Sequence, residues 1–306
     1  MKKINRRHFL KYQAAGLLWT AGAGLLLPGR LFARENTDLA VVTGEIEAAV
    51  RKSVQMLGGM KKFVKKGEKV VIKPNMSFPV PPDRASNTHP LVAKTIAAMC
   101  KEAGAGRVLV LDNPLAPAER CLEESGIYAA CETVERDMTH MVSNPRSFKD
   151  VDIKQGQTMK STEVMKAVLE SDVLIAAPVA KSHAGAGVSL SMKGMMGLIQ
   201  NRHRMHGLGL HETIVDLVSF LTPQLVIIDA SRVLSTGGPG GPGKVLRPKQ
   251  IIAATDMVAA DAYAVQAFEW YGKKYGAEQI KHIRLAHERG LGRMDIENLK
   301  VRQASV

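Results

Sequence analysis

The sequence is poor in two residue types that would each indicate a class of protein. It contains three cysteines in 306 residues, too few for the disulfide framework of a small secreted domain. We expect them to be buried and unpaired, with a Cys121–Cys131 disulfide as the alternative. Aromatic residues make up only 5% of the chain, which leaves little surface for stacking nucleic-acid bases. Because 45% of the residues are hydrophobic, the composition predicts a globular core and excludes a disordered chain.

Acidic residues are absent from the first 33 positions, which hold six of the 42 basic residues. Arg6 and Arg7 are followed by Phe-Leu-Lys, an apolar run at 14–27 and a small residue, Ala33. This order is typical of a secretory signal and resembles the twin-arginine signal, which a receptor reads. The apolar run is shorter than the roughly 20 residues of a membrane span. We therefore predict that residues 1–33 are a cleaved signal, with an uncleaved anchor as the alternative.

This signal predicts a location and a partner. The twin-arginine translocation machinery would carry the folded chain to the periplasm or otherwise out of the cytoplasm, and no stable transmembrane segment would remain after cleavage. As a family, twin-arginine substrates often fold around a cofactor before export. A bound metal or organic cofactor is therefore one expectation for the mature chain.

The charge excess is largely a property of that signal. The full chain has a net charge of +13, but without residues 1–33 it has 36 basic and 29 acidic residues, a charge of +7. The remaining lysines are spread along the chain, as in the pairs at 61–62 and 273–274. This pattern predicts no nucleic-acid partner and is compatible with a small anionic ligand.

Short apolar runs alternate with helix-like segments from about residue 40 to residue 302. The runs end in Pro, Gly or polar residues, as buried strands do. They lie at 69–73, 108–111, 173–176, 225–228 and 251–254. Alternation of this kind predicts an α/β fold with a mainly parallel sheet covered by helices, in one domain or two lobes.

Polar residues directly follow several of these runs. In open α/β sheets, ligands bind at the loops beyond the carboxyl ends of the strands. The predicted ligand-binding residues are Lys73, Asn75, Asp112, Ser189, Asn201, Asp229 and Asp256.

The segment 180–197 has the highest density of such residues. A strand that ends at Pro178 is followed by a Gly-rich loop and a helix start near Ser189, where backbone N–H groups suit an anion. We predict that Lys181 and Lys193 hold negative charge and that His183 is a general acid or base. The alternative is a tight turn with solvated lysines.

Three histidines follow within nine residues. His203, His206 and His211 could ligate a transition metal. The spacing matches no defined metal motif, so a polar or anion-contacting loop is the alternative.

Several motifs in this order resemble the domain-of-unknown-function family 362. They are Ile72-Lys73-Pro74-Asn75, Lys181-Ser182-His183, the segment 189–197, Gly238-Pro239, the segment 256–262 and Gly290-Leu291-Gly292. The resemblance covers residues 40–302, and the family has no settled activity. Some members carry ferredoxin-like iron–sulfur segments, but this chain lacks the Cys-x-x-Cys spacing of such a cluster.

A weaker resemblance is to the nickel-pincer lactate racemases. In those enzymes a Lys ten residues after a His holds the cofactor covalently, and His183 and Lys193 have this spacing. The racemase Ser-Gly-Gly-x-Lys is replaced here by Ser-Leu-Ser-Met-Lys, so the resemblance implies a shared scaffold rather than a shared reaction.

Two functions follow from these observations. The first is an exported enzyme that acts on a small anionic molecule with a bound cofactor or metal. The second is a non-catalytic metal- or cofactor-binding or maturation protein for a periplasmic, iron–sulfur-linked redox system.

Overall fold

Strands and helices alternate along residues 37–306, which are the residues described by the computed structural model. The predicted signal lies outside the described residues. The strands are β1 (Leu39–Thr43), β2 (Lys69–Pro74), β3 (Arg107–Asp112), β4 (Thr139–Met141), β5 (Phe148–Asp152), β6 (Ser161–Met165), β7 (Val173–Ala177), β8 (Val179–His183), β9 (Gly187–Ser189), β10 (Leu225–Leu234), β11 (Val245–Leu246), β12 (Gln250–Ala254) and β13 (Val301–Ser305). The helices are α1 (Ile46–Met56), α2 (Pro90–Ala103), α3 (Ala118–Ser125), α4 (Ile127–Glu132), α5 (Lys166–Leu169), α6 (Ser191–Gly194), α7 (His203–Leu208), α8 (Leu210–Phe220), α9 (Met257–Ala267) and α10 (Lys281–Glu288).

One sheet of eleven strands forms the centre of the described region. Its main path runs β13-β1-β12-β10-β7-β2-β3-β4, and β8, β9 and β11 join it at β10 or at each other. The stretch from β10 to β4 is parallel throughout, whereas β12 runs antiparallel to both of its neighbours. The predicted α/β fold with a mainly parallel, helix-covered sheet is confirmed. The described residues form one compact unit.

The central strands are apolar on both faces because helices cover both. In β10, Leu225 and Ile227 pack into the core beneath α1 and α2, while Val226 and Ile228 face the core that includes α8 and α9. Neighbouring residues of a strand point to opposite faces, so a strand covered on both sides shows a continuous apolar run.

The strand order reverses next to β2. The chain places β3 and β4 in succession on one side of β2, then returns to place β7 on the other side. Such a switch point leaves a crevice beyond the carboxyl ends of the strands. β8 and the β8–β9 turn rise from this edge directly after β7.

Two further findings concern the cysteines and the membrane. Cys100, Cys121 and Cys131 are all buried and free, so the alternative of a Cys121–Cys131 disulfide is wrong. Within residues 37–306, no helix has the length and apolar character needed to cross a bilayer.

Candidate active site

A cavity of about 210 Å³ opens at the switch point. The three predicted catalytic residues line it, as do four of the seven predicted ligand-binding residues. Its polar lining consists of Lys73, Asn75, Ser77, Asp112, Lys181, His183, Ser189, Lys193, Arg202, His203 and His206.

Lys73 and Asp112 form a buried ion pair in this lining. The two side chains are 1% and 2% exposed, and Lys73 Nζ lies 3.1 Å from Asp112 Oδ1. Asp112 also accepts hydrogen bonds from Ser77 Oγ at 2.7 Å and from the N–H groups of Met76 and Asn113. Burial lowers the pKa of Lys73, while the Asp112 charge acts in the opposite direction. The charge of Lys73 is therefore compensated within the protein.

Gly197 makes room for this pair. A Cβ atom at Gly197 would lie 2.2 Å from Asp112 Oδ1 and 2.4 Å from Lys73 Cε. The Gly197 carbonyl also accepts a hydrogen bond of 2.9 Å from the Asn113 N–H. Position 197 of the motif must therefore be glycine, because its backbone lies so close to the ion pair that a side chain does not fit.

Asn75 lies at the same edge but acts within the protein. Its Oδ1 accepts a hydrogen bond of 3.0 Å from the Val179 N–H, and its backbone N–H donates to Thr88 Oγ1. The first bond connects the end of β2 to the start of β8, and the second connects it to the loop before α2.

Lys181 has no carboxylate within 4.0 Å in the described part of the chain. Its Nζ donates to the Ser86 carbonyl at 2.5 Å and lies 4.8 Å from the centre of the Phe78 ring. Burial, followed by repulsion from the Lys193 charge, lowers the pKa of Lys181 to about 7. The side chain can therefore accept or donate a proton near neutral pH.

Lys193 lies on α6, and Asp261 fixes the start of that short helix. Asp261 accepts hydrogen bonds from Ser191 N at 2.8 Å, Ser191 Oγ at 2.6 Å and Met192 N at 2.9 Å. Burial, followed by the charge of Arg202, lowers the pKa of Lys193 to about 8. Asp261 lies in the segment 256–262 that carries part of the family resemblance, but its place in the sequence did not predict that it holds the start of α6.

The β8–β9 turn orients His183. Its Nδ1 accepts from the N–H groups of Gly185 and Ala186, each at 3.1 Å. These two bonds assign the proton of the neutral ring to Nε2. Burial, followed by the charges of Lys193 and Lys181, lowers the pKa of His183 to about 3. In this geometry the neutral ring presents its Nε2–H as a hydrogen-bond donor.

Arg202 is a lining residue that the sequence did not reveal. It precedes α7, and its guanidinium donates to the Asn113 carbonyl at 2.5 Å. Within the described residues, no carboxylate lies within 4.0 Å of Arg202 or Lys193. With Lys181, they give the cavity three basic groups that lack an acidic partner.

Asn201, Asp229 and Asp256 do not line this cavity. Asn201 Oδ1 accepts from the N–H of Arg204 at 3.3 Å on an exposed loop. Asp229 is fully buried and pairs with Arg232 at 2.7 Å. Asp256 caps α9, where it accepts from Val258 N at 2.8 Å. These contacts are structural.

The three predicted metal ligands lie at two different places in the structure. His203 and His206 line the cavity, and the His206 ring lies 6.4 Å from the His183 ring. His211 instead contacts His282, with 3.2 Å between their Nδ1 atoms. Among residues 37–306, no group of three or more His, Cys, Asp or Glu side chains is arranged to hold a metal ion.

The family model described as "Domain of unknown function (DUF362)" matches residues 70–266. The chain belongs to this family. All residues that line the cavity fall within the matched DUF362 range.

This DUF362 protein is similar, at low sequence identity, to one curated protein and to two solved structures. A thylakoid-associated protein of Synechocystis sp. is 27% identical over 231 residues, which are 71% of this chain and 70% of that protein. The lactate racemase apoprotein of Thermoanaerobacterium thermosaccharolyticum is 15% identical, with a TM-score of 0.46 over 74% of this chain. A protein of Thermotoga maritima is 16% identical, with a TM-score of 0.34 over 85% of this chain. This chain spans 57% and 49% of the lengths of those two structures.

Proposed function

We propose that this protein is an exported enzyme that binds a small molecule with two or more negative charges. The observation that supports the proposal is the grouping of Lys181, Lys193 and Arg202 around one small cavity, where none of the three has an acidic partner within 4.0 Å among residues 37–306. Burying cationic groups is unfavourable unless opposite charge or hydrogen bonds compensate it. A bound dianion would supply that compensation.

Each group has a distinct proposed role. Lys193 and Arg202 hold the negative charges of the ligand. Lys181, with its pKa near 7, transfers a proton to or from the ligand. His183 donates its Nε2–H to a ligand oxygen that gains negative charge during the reaction. Lys73 and Asp112 form the rigid floor of the cavity.

A binding experiment tests this assignment. We expect malonate, a small dianion, to bind in calorimetric titration and acetate to bind far more weakly. Loss of a charged hydrogen-bond donor should weaken malonate binding by about tenfold or more in Lys193→Met and Arg202→Met. Lys149→Met, at an exposed position on β5, is the matched control and should bind like the wild type. Equal affinity in all four proteins would refute the proposal.

The natural occupant can be either a substrate or an anionic organic cofactor, because both would satisfy the same cations. Native mass spectrometry of the protein purified from its source distinguishes them. A small organic anion or a covalent adduct on Lys193 supports the enzyme. A metal ion without an organic ligand, released when His203 and His206 are replaced, would instead support the maturation protein.

We further propose export by the twin-arginine translocation machinery. The support is the motif around Arg6 and Arg7, followed by the short apolar run. An Arg6→Lys, Arg7→Lys double variant should accumulate in the cytoplasm, whereas the unchanged chain should be recovered in the periplasmic fraction. Equal fractionation of the two would refute this route.

A further inference from the structure

A second cavity, of about 370 Å³, lies on the other side of the β8–β9 turn. The sequence contains only two Trp, five Tyr and seven Phe, yet Trp270, Tyr271 and Tyr275 all line this cavity. Phe268 packs edge-on against Trp270, with 6.3 Å between the ring centres. Neither cavity shares a lining residue with the other. Aromatic residues, which are scarce in this chain, are thus concentrated around this second cavity, which we call the aromatic cavity. The first cavity, lined by Lys181, Lys193 and Arg202, is called the anion cavity.

Tyr271 adopts a backbone conformation that its side chain disfavours. Trp270 and Lys273 exchange two backbone hydrogen bonds, of 2.8 and 3.0 Å, around a two-residue turn. Tyr271 and Gly272 have φ values of +54° and +74°. A turn with two positive φ values favours Asn-Gly, and strained residues of this kind cluster at functional sites. Tyr271 is 39% exposed and lines the cavity, so part of the residue is accessible to a ligand there.

The remaining polar lining is suited to an uncharged ligand. The charge of Lys281 is paired with Glu212, at 2.5 Å. His211 Nδ1 lies 3.2 Å from His282 Nδ1, a hydrogen bond in which one of the two rings must accept and is therefore neutral. Behind His211, the fully buried His282 has no hydrogen-bond partner for its Nε2 in the described part of the chain.

We propose that this cavity binds an uncharged, flat aromatic compound of one or two rings, stacked on Tyr271 and hydrogen bonded to His211. Aromatic rings attract one another in offset or edge-to-face arrangements beyond the burial of apolar area. His211 Nδ1 is engaged with His282 Nδ1, so Nε2 is the ring nitrogen that remains to form a hydrogen bond with a hydroxyl on the ligand. The site does not depend on the anion cavity or on its proposed function.

The first test uses 2-naphthol as the probe, with equilibrium dialysis against the full chain. Decahydro-2-naphthol, which has a similar size and the same hydroxyl group but no aromatic ring, is the control ligand. We expect 2-naphthol to bind about tenfold more tightly than the control. Absence of 2-naphthol binding, or equal affinity for the two compounds, would overturn the proposal.

The second test separates ligand binding from backbone strain. Tyr271→Asn removes the ring and places a residue that tolerates positive φ at this position. Lys249 has the same φ of +54° at an exposed site far along the chain from the turn, so Lys249→Asn is the matched control. We expect both variants to melt at a higher temperature than the wild type, and only Tyr271→Asn to lose 2-naphthol binding. Unchanged binding, or a lower melting temperature, in Tyr271→Asn would contradict the assigned role of the ring.

Discussion

Replacement of Asp112 by Asn should strongly destabilise the protein. The substitution keeps the shape of the side chain but removes the carboxylate that pairs with the Lys73 ammonium, which is 1% exposed. Leaving one member of a buried ion pair without its partner costs about 3–5 kcal/mol. At about 2–4 °C per kcal/mol in a domain of this size, we expect the melting temperature to fall by about 6–20 °C.

Scanning calorimetry at neutral pH measures this effect. The matched control is Glu288→Gln, which breaks the exposed pair of Arg284 and Glu288, 43% and 50% exposed. Exposed pairs of this spacing contribute only about 0.3–0.5 kcal/mol. A second substitution, Lys73→Met in the Asp112→Asn background, should recover much of the lost stability, because it removes the unpaired charge.

The pH dependence provides a further check. Burial already lowers the pKa of Lys73, and loss of Asp112 lowers it more. The unfolded chain then binds more protons than the folded one above neutral pH, so the stability of Asp112→Asn should rise with pH. If Asp112→Asn destabilises no more than Glu288→Gln, or if its stability falls as the pH rises, the assigned role of the pair is wrong.

Three further predictions concern the two cavities. Gly197→Ala should destabilise the protein and abolish malonate binding, because its Cβ would lie 2.2 Å from a carboxylate oxygen of Asp112. Gly207→Ala, whose Cβ meets nothing within 4 Å, should be stabilising by about 0.5–1 kcal/mol in the same thermal assay. Malonate affinity should fall as the pH rises from about 6 to about 9, because Lys181 and Lys193 lose their protons near pKa values of about 7 and 8. A flat titration profile would contradict their roles. Burial lowers the pKa of His282 to about 3. As the pH falls, this histidine is therefore protonated in the unfolded chain before it is protonated in the folded one, and the free energy of unfolding decreases below the usual pKa of histidine. His282→Asn should lose less stability than the wild type between neutral pH and about pH 5, as measured by urea unfolding at each pH. Equal losses would show that another group dominates the acid response.

The fold could be read from the sequence because covered parallel strands have a distinctive pattern. The runs at 173–176 and 225–228 are apolar on every position, which follows from burial on both faces. The same pattern located Lys73, Asp112 and Lys181, since residues after parallel strands meet at one edge of the sheet.

Other parts of the site depend on contacts that spacing does not encode. Arg202 reaches the cavity through a loop and bonds to a carbonyl 89 residues away. Asp229 and Asp256 follow apolar runs in the sequence just as Asp112 does, yet one pairs with Arg232 and the other caps a helix. A carboxylate after a strand looks the same in sequence whether it serves a ligand or the backbone.

The role of His183 shows the same limit. The sequence identified a histidine after a buried strand, but its tautomer depends on the path of the turn that follows. Only the positions of the Gly185 and Ala186 N–H groups decide which ring nitrogen carries the proton.

That turn also separates the two cavities. Its backbone orients His183 on one side, while Ala184, Ala186 and Gly187 line the aromatic cavity on the other. A ligand in the aromatic cavity that displaces the turn changes the direction of the His183 donor in the anion cavity. Binding in one cavity then changes the affinity of the other cavity by a coupling free energy. This free energy is the same whichever of the two ligands binds first. A three-residue connection between two strands would in this way make two chemically unrelated ligands affect each other's binding.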